Sequence, residues 1–249
     1  ITRGLSYIAF RGTDASPVGW KEDFNMAFQY PVPSQQAAAA YLKEAATRCR
    51  GALIAGGHSK GGNLAVYAGA NCGERTQKRI RKVYSHDGPG FARNVLERNT
   101  FQVILPRTEK TVPQSSMIGM LFENQEEFTI VKSRGLGLLQ HDPYSWIVED
   151  GDFVYPDRLA ADARYLDRTL NQWIESLSQE DRERFVDGLY DIVEENGIQS
   201  FTELRDDWRK NIPALIHSMT HMADDTKEFM LHRLKELAAL SLKNIRNRE

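Results

Sequence analysis

The chain has 249 residues, of which 41% are hydrophobic and 27% are charged, and its formal net charge is −2. This composition is typical of a globular protein, and the near-neutral charge argues against a nucleic-acid-binding surface. No apolar run is long enough to span a membrane, and the two cysteines, Cys49 and Cys72, predict no disulfide framework, which favours a cytoplasmic location.

Residues 1–155 hold most of the glycines and short apolar runs, a pattern that predicts an α/β domain. Ser34 is expected to cap a helix that Gly51 ends. Two prolines divide residues 101–121 into short pieces that the pattern leaves ambiguous. The other predicted elements are strands over 4–10, 52–56, 80–85 and 128–133, a helix over 63–70, and a hairpin over 146–155 that turns near Asp150 and Gly151.

Residues 156–249 are richer in charge and carry helical periodicity, so they are predicted to form a helical appendage with at least three helices. Ser178-x-x-Asp181 and Ser200-x-x-Glu203 have the spacing of helix-start capping boxes. The boundary between the two parts is placed between Tyr155 and Pro156.

The stretch Gly57-His58-Ser59-Lys60-Gly61 matches G-x-S-x-G, the nucleophile elbow of α/β-hydrolases. It lies between the predicted strand 52–56 and the predicted helix 63–70, which is the context that the motif requires. The tight reversal is expected to strain the backbone of Ser59 and expose its hydroxyl beside a helix N-terminus. The alternative is an ordinary glycine-rich turn. A phosphate-binding loop fits less well, because it needs Gly-Lys-Ser/Thr and this chain has Ser-Lys-Gly.

A serine nucleophile needs a histidine base, and six histidines are available: His58, His86, His141, His217, His221 and His232. His141 is the best candidate, because it follows a strand and a glycine-bearing loop and should lie at the C-terminal edge of the sheet. His58 lies inside the elbow and cannot easily fold back onto Ser59. His217 and His221 have i, i+4 spacing but lack the glutamate of a metalloprotease helix, which favours a solvated helix face over a metal site.

The triad acid is predicted to be Asp87, which directly follows the strand 80–85 and gives the chain order serine, acid, histidine. Glu109 and Asp142 are weaker candidates, and Asp87 could instead only cap the turn that follows it. For the oxyanion hole, the strand end Ile8–Asp14 offers Thr13, and the N–H of Lys60, the residue after Ser59, supplies the second donor.

Four blocks of the sequence, IAFRGTD, GWKEDFNMAF, GGHSKGGNLA and VYSHDGPGF, resemble the class 3 lipase-like α/β-hydrolases, and more closely a bacterial branch carried as a domain of unknown function. The resemblance covers nearly all of the chain. It implies a mostly parallel hydrolase sheet, with Ser59 as nucleophile, Thr13 at the oxyanion hole and His141 as base.

The sequence departs from this family in two ways. Ser116 stands where class 3 lipases carry the acid of their Asp-x-Val-Pro segment, so Asp87 is expected to substitute for it. The strands that precede YIAF in such folds are absent, so the N-terminal part of the hydrolase is expected to be missing, which would leave an apolar sheet edge exposed.

These patterns together predict a serine hydrolase that cleaves a carboxylic ester, most simply a lipid or other acyl ester, through an acyl-enzyme. No metal or organic cofactor is required, and the expected partner is the small-molecule or lipid substrate. Three alternatives stay open: a binding scaffold on a degenerate hydrolase fold, an acyltransferase that uses the same triad, and a peptidase.

Overall fold

The computed structural model describes residues 4–13, 17–26, 29–122, 127–135, 137–196, 217–219 and 222–246. Its centre is a five-stranded sheet in the order β1-β2-β3-β4-β5, in which every pair of neighbours is parallel. The strands are β1 (Leu5–Phe10), β2 (Ala52–His58), β3 (Ile80–His86), β4 (Thr108–Pro113) and β5 (Phe128–Val131). This arrangement is an α/β fold.

Nine α-helices are defined within the described ranges. They are α1 (Pro17–Asn25), α2 (Pro33–Arg48), α3 (Lys60–Asn71), α4 (Glu74–Gln77), α5 (Arg93–Leu96), α6 (Asn99–Ile104), α7 (Ala161–Ser176), α8 (Gln179–Glu195) and α9 (Asp224–Arg246). Short 3-10 helices cover Leu105–Arg107, Gly137–His141 and Pro143–Ser145. None of the described helices is both long and apolar enough to cross a membrane.

Helix α3 is the centre of the α/β core, and all of its first eleven residues, 60–70, are buried. It packs on β1, β2 and β3 and also against α2 and α6. The buried side chains of these strands include Ile8, Leu53 and Val83, and a Cβ atom at Gly69 of α3 would lie 3.4 Å from Val83. The N-terminus of α3 lies where the chain reverses after β2.

Most of the predicted strands and helices are present, with shifted ends. Strand β2 continues to His58, two residues beyond its predicted end, and α3 begins at Lys60. The prediction for Ser34 was wrong, because α2 begins at Pro33 and Ser34 therefore lies within its first turn. Proline suits the first position of a helix, since the backbone N–H that it lacks would have no partner within the helix. The ambiguous segment 101–121 contains the end of α6 and all of β4.

Strand β5 ends at Val131 rather than at residue 133, because the chain leaves the sheet to pair with a hairpin. The N–H of Lys132 donates to the carbonyl of Val154 at 2.8 Å, and Ser133 forms a bridge with Trp146. The hairpin consists of β6 (Val148–Glu149) and β7 (Asp152–Phe153). It turns at Asp150 and Gly151, whose φ angles are 52° and 86°, as a tight hairpin turn requires.

Among the described residues, the helical part contains α7, α8 and α9, which agrees with the expectation of at least three helices after Pro156. Its core is formed by one group of buried side chains: Trp173, Leu177, Phe185, Ile192 and Met230. The hydroxyl of Ser178 accepts the N–H of Asp181 at 3.0 Å, which is the N-terminal cap that the spacing predicted. The second predicted cap, Ser200 with Glu203, lies outside the described residues.

The contacts within the chain divide it into two compact units. Unit 1 comprises residues 1–12 and 33–167, and unit 2 comprises 13–32 and 168–249. In unit 2, α1 packs on α8, and Lys21 forms an ion pair with Asp187 at 2.9 Å. The sequence-based boundary at 155/156 stays a prediction; the contacts group α1 with the helical part, although it lies early in the chain.

Candidate active site

Ser59 lies at the reversal between β2 and α3 in a strained backbone conformation, with φ of 58° and ψ of −132°. Neighbouring backbone groups hold it there. Its N–H donates to the carbonyl of His86 at 2.9 Å, and its carbonyl accepts the N–H groups of Gly62 and Asn63 at 2.9 and 3.3 Å. The hydroxyl does not cap α3. A serine held in this way is a candidate for function, because such strain persists only where the surroundings impose it.

Glycine is required on both sides of Ser59 because three backbone segments meet there. A Cβ atom at Gly57 would lie 2.4 Å from the carbonyl carbon of Gly61, and one at Gly61 would lie 2.2 Å from the carbonyl oxygen of Phe10. Neither position can therefore hold a side chain without moving the backbone. The end of β1 is pressed against the elbow, and Gly12, the last residue of that segment in unit 1, lies against the carbonyl of His58.

Asp87 follows directly after β3, on the strand next to the one that leads to Ser59. His58 and His86 are partners in the β2–β3 register, so Ser59 and Asp87 leave adjacent strand ends at the same edge of the sheet. Asp87 is fully buried and has a positive φ of 49°, a region that aspartate tolerates better than most residues. Its N–H donates to the carbonyl of Thr111 at 2.7 Å.

The carboxylate of Asp87 accepts three hydrogen bonds. Its Oδ2 lies 2.7 Å from Nδ1 of His141, and its Oδ1 accepts the hydroxyl of Ser116 at 2.5 Å and the N–H of Gly119 at 3.1 Å. A buried carboxylate is tolerated only when its oxygens are satisfied in this way. Ser116, at the position where the class 3 pattern has an acid, thus donates to a carboxylate that follows the neighbouring strand β3.

His141 ends the 3-10 helix Gly137–His141, and about a quarter of its side chain (26%) is exposed. Because a carboxylate oxygen can only accept, Nδ1 of His141 carries the hydrogen of this bond. The backbone beside it is anchored through Gln140. The side-chain oxygen of Gln140 accepts the N–H of Ser115 at 3.0 Å, and its carbonyl accepts the indole N–H of Trp146 at 2.8 Å.

The turn that follows Asp87 is fixed by Asn63, a buried residue of α3. The amide of Asn63 donates to the carbonyls of Pro89 and Gly90 at 3.0 and 3.1 Å, and its oxygen accepts the side chain of Gln35 from α2 at 2.9 Å. Each polar atom of the Asn63 side chain therefore has a partner. The turn after Asp87 is therefore held in place by hydrogen bonds to helix α3, which is in turn bonded to α2.

The two residues predicted for the oxyanion hole lie in different units. Lys60 is the first residue of α3 and is buried. Thr13 belongs to unit 2, where its hydroxyl donates to the carboxylate of Asp23. The hydroxyl is thus engaged with a carboxylate, and any donor role of Thr13 toward a substrate falls to its backbone N–H.

The other candidates from the sequence have partners of their own. The carboxylate of Glu109 pairs with Lys82, and that of Asp142 accepts the N–H of Tyr144 at 3.0 Å. His232 lies 3.2 Å from Glu236 on α9. The metal-site alternative rested on His217 and His221, and His221 lies outside the described residues. Across the described part of the chain, no group of three or more potential ligands could hold a metal ion.

Sequence reasoning missed the contacts of His58 with His141. Nε2 of His58 lies 2.7 Å from the backbone carbonyl of His141, and the two ring centroids are 4.5 Å apart. Burial, and after it the proximity of His141, lowers the pKa of the His58 imidazole. His58 was considered only as a base for Ser59, and nothing in its local sequence shows that its partner would be a backbone carbonyl 83 residues away.

Residues 115–122 lie soon after β4 and are largely apolar. Met120 packs in a core cluster with Val112, Leu159 and Ala163, so this part of the stretch contributes to the interior. Ser116 and Gly119, from the same stretch, contact Asp87. The stretch thus joins the core to the candidate site.

Of the comparisons with known proteins, only the comparison with protein families gave a match. No curated protein and no solved structure gave a match to the chain. The sequence profile of the Mbeg1-like family, which is lipase-like, matches residues 1–191. This match spans all five strands of the parallel sheet together with Ser59, Asp87 and His141, and the chain therefore belongs to the Mbeg1-like family.

Proposed function

We propose that the chain is a serine hydrolase of the class 3 lipase-like α/β-hydrolase type, which cleaves a carboxylic ester of a lipid or another acyl compound. One observation carries the proposal: the fully buried Asp87 and the partly exposed His141 are 2.7 Å apart at the sheet edge where the strained elbow presents Ser59. A carboxylate hydrogen-bonded to an imidazole, beside a serine at such an elbow, is the arrangement that activates the serine hydroxyl for acyl transfer.

In the proposed reaction, the Ser59 oxygen attacks the ester carbonyl carbon while Nε2 of His141 takes the hydroxyl proton. The carbon–oxygen bond to the alcohol then breaks, and the same proton passes from His141 to the leaving alcohol. Water next attacks the acyl-enzyme, giving its proton to His141, and the acid is released as Ser59 regains a proton. Asp87 holds the imidazole in the tautomer that this cycle needs and stabilises its charged form.

The developing oxyanion requires hydrogen-bond donors near the carbonyl oxygen. We assign this role to the N–H of Lys60, which follows the nucleophile at the N-terminus of α3, and to the N–H of Thr13, which follows Gly12 in the chain. A helix N-terminus favours negative charge, and one such donor contributes about 2.7–4 kcal/mol to the transition state. The assignment of Thr13 rests on the sequence.

Covalent labelling with a fluorophosphonate probe tests the proposal. The phosphorus of the probe should bond to the Ser59 oxygen with loss of fluoride, and mass spectrometry should locate the adduct on the peptide that contains Ser59. Ser59→Ala should abolish labelling, whereas Ser176→Ala, a change within α7, should leave it intact. A folded wild-type chain that takes no label and hydrolyses no ester would refute the proposal and favour the non-catalytic scaffold.

Product analysis distinguishes a hydrolase from an acyltransferase. With an ester substrate and a competing alcohol or amine acceptor, a hydrolase releases mainly the free acid. Preferential formation of the acceptor ester or amide would assign the site to acyl transfer. The cytoplasmic location that the cysteine content favours stays a prediction; both cysteines are free thiols.

A further inference from the structure

His58 connects the nucleophile elbow directly to the loop that carries His141. Its Nε2 is 2.7 Å from the carbonyl oxygen of His141, and its ring lies against the His141 ring with centroids 4.5 Å apart and an interplanar angle of 37°. Because a carbonyl only accepts, Nε2 of His58 is the donor and carries a hydrogen.

A second side chain holds the preceding carbonyl of the same loop. The indole N–H of Trp146 donates to the carbonyl of Gln140 at 2.8 Å, and the Trp146 ring stands edge-on to His58 with centroids 6.4 Å apart. Two successive carbonyls, those of Gln140 and His141, are thus each held by the N–H of a ring. The loop contributes the imidazole that bonds to Asp87, so fixing its backbone also fixes the direction of that ring.

We propose that His58 is a positioning residue: its Nε2–H holds the backbone of His141 so that the His141 ring keeps its hydrogen bond to Asp87 and its Nε2 toward Ser59. This inference rests on the proposed function. It assigns a role to the variable residue that precedes the nucleophile in the G-x-S-x-G motif. If the elbow moved, His141 would move with it, because His58, the residue next to Ser59, is hydrogen-bonded to the His141 backbone.

Two substitutions separate the hydrogen bond of His58 from its packing. His58→Gln keeps an N–H donor near the place of Nε2 but removes the ring, and His58→Phe keeps a ring but removes the donor. We expect His58→Phe to lower the rate constant for fluorophosphonate labelling of Ser59 by roughly tenfold, the effect of one hydrogen bond. His58→Gln should recover most of that rate. His232→Phe, which changes an exposed histidine on α9, is the matched control and should label like the wild type.

A second measurement does not depend on activity. The proton on Nδ1 of His141 should give a downfield NMR resonance in the wild type that Asp87→Asn removes, and His58→Phe should broaden or shift it while His58→Gln preserves it. The pH profile of labelling should also change in His58→Phe, since that variant loosens the backbone that orients the His141 ring toward Asp87. A role in stability alone would change the melting temperature without moving the resonance or the pH profile.

The outcomes distinguish this inference from the proposed function. Wild-type protein that resists labelling but shows the His141 resonance would contradict the hydrolase proposal. The effect of the His58 variants on that resonance would still test the positioning role. Wild-type behaviour of His58→Phe in labelling, pH profile and NMR would overturn the inference. A larger loss in His58→Gln than in His58→Phe would assign the effect to the ring, and equal losses would show that a donor at this position is not enough. Either result would also overturn the inference. If His58→Phe fails to fold, His58→Ala takes its place beside His58→Gln.

Discussion

The imidazole of His141 and the carboxylate of Asp87 are joined at 2.7 Å, although 54 positions separate these residues in the chain. The carboxylate is fully buried, and its second oxygen is occupied by the hydroxyl of Ser116 and the N–H of Gly119. One oxygen thus holds the carboxylate in place and the other contacts the His141 imidazole. This division of roles leads to the first two predictions.

Asp87→Asn should reduce kcat for ester hydrolysis by about four orders of magnitude, because an amide nitrogen facing Nδ1 favours the wrong tautomer of His141. Steady-state kinetics with a chromogenic short-chain ester would measure the loss. Glu109→Gln is the matched control, since the Glu109 carboxylate pairs with Lys82. Near-normal kcat in Asp87→Asn would show that another group supplies the acid, even if Ser59 remains the nucleophile.

Gly119→Ala should impair turnover more than Ser116→Ala does. A Cβ at position 119 would lie 2.2 Å from Oδ1 of Asp87 and would displace the carboxylate, whereas Ser116→Ala removes one of its donors. Loss of that donor to a charged group should lower the free energy of unfolding by about 1.5–3 kcal/mol. Kinetics and urea denaturation of both variants would test this order, and equal kcat values would contradict it.

The stability of the protein should fall as the pH drops below about 6.5, the ordinary pKa of histidine. Burial lowers the pKa values of His58 and His86 in the folded state. Below the ordinary histidine pKa, these two side chains are protonated in the unfolded chain but not in the folded chain. Acidification therefore favours unfolding until the pH reaches the lowered pKa values of the folded state. Urea denaturation between pH 7.5 and 5 would measure the slope, and the double variant His58→Gln, His86→Gln should show a smaller one. An identical slope in that variant would contradict the attribution to these histidines.

The two cysteines should differ in reactivity. Burial raises the pKa of the Cys72 thiol to about 11, so it stays protonated at pH 8, while Cys49 is partly exposed. Iodoacetamide should modify Cys49 in the native protein and reach Cys72 only after denaturation. Peptide mass spectrometry after a timed reaction would distinguish the two, and fast native alkylation of Cys72 would contradict its burial.

Ser178→Ala should destabilise the helical part by about 1 kcal/mol, because it removes the N-terminal cap of α8. Thermal or urea denaturation would measure the loss. Ser176→Ala, two residues earlier at the end of α7, provides the control, since alanine suits a helical position. A loss in Ser176→Ala as large as that in Ser178→Ala would contradict the capping assignment.

Much of the fold follows from local patterns in the sequence. The strand before Ser59, the helix after it and the hairpin turn at Asp150 and Gly151 were predicted, because periodicity and glycine placement act over a few residues. The cap at Ser178 is local in the same way. The exact start of α2 was not predicted, since Pro33 and Ser34 both suit a helix start and packing decides between them.

The sequence by itself determined that an α/β chain presents a serine between glycines, and it named an aspartate and a histidine as partners. Only the tertiary structure decided which carboxylate meets His141, that Ser116 and Gly119 hold that carboxylate, and that His58 holds the His141 backbone. The physical reason is the range of the interactions. Strand and turn preferences depend on neighbouring residues, whereas hydrogen bonds between residues 29 to 83 positions apart depend on strand order and loop packing, which bring those residues together only in the folded chain.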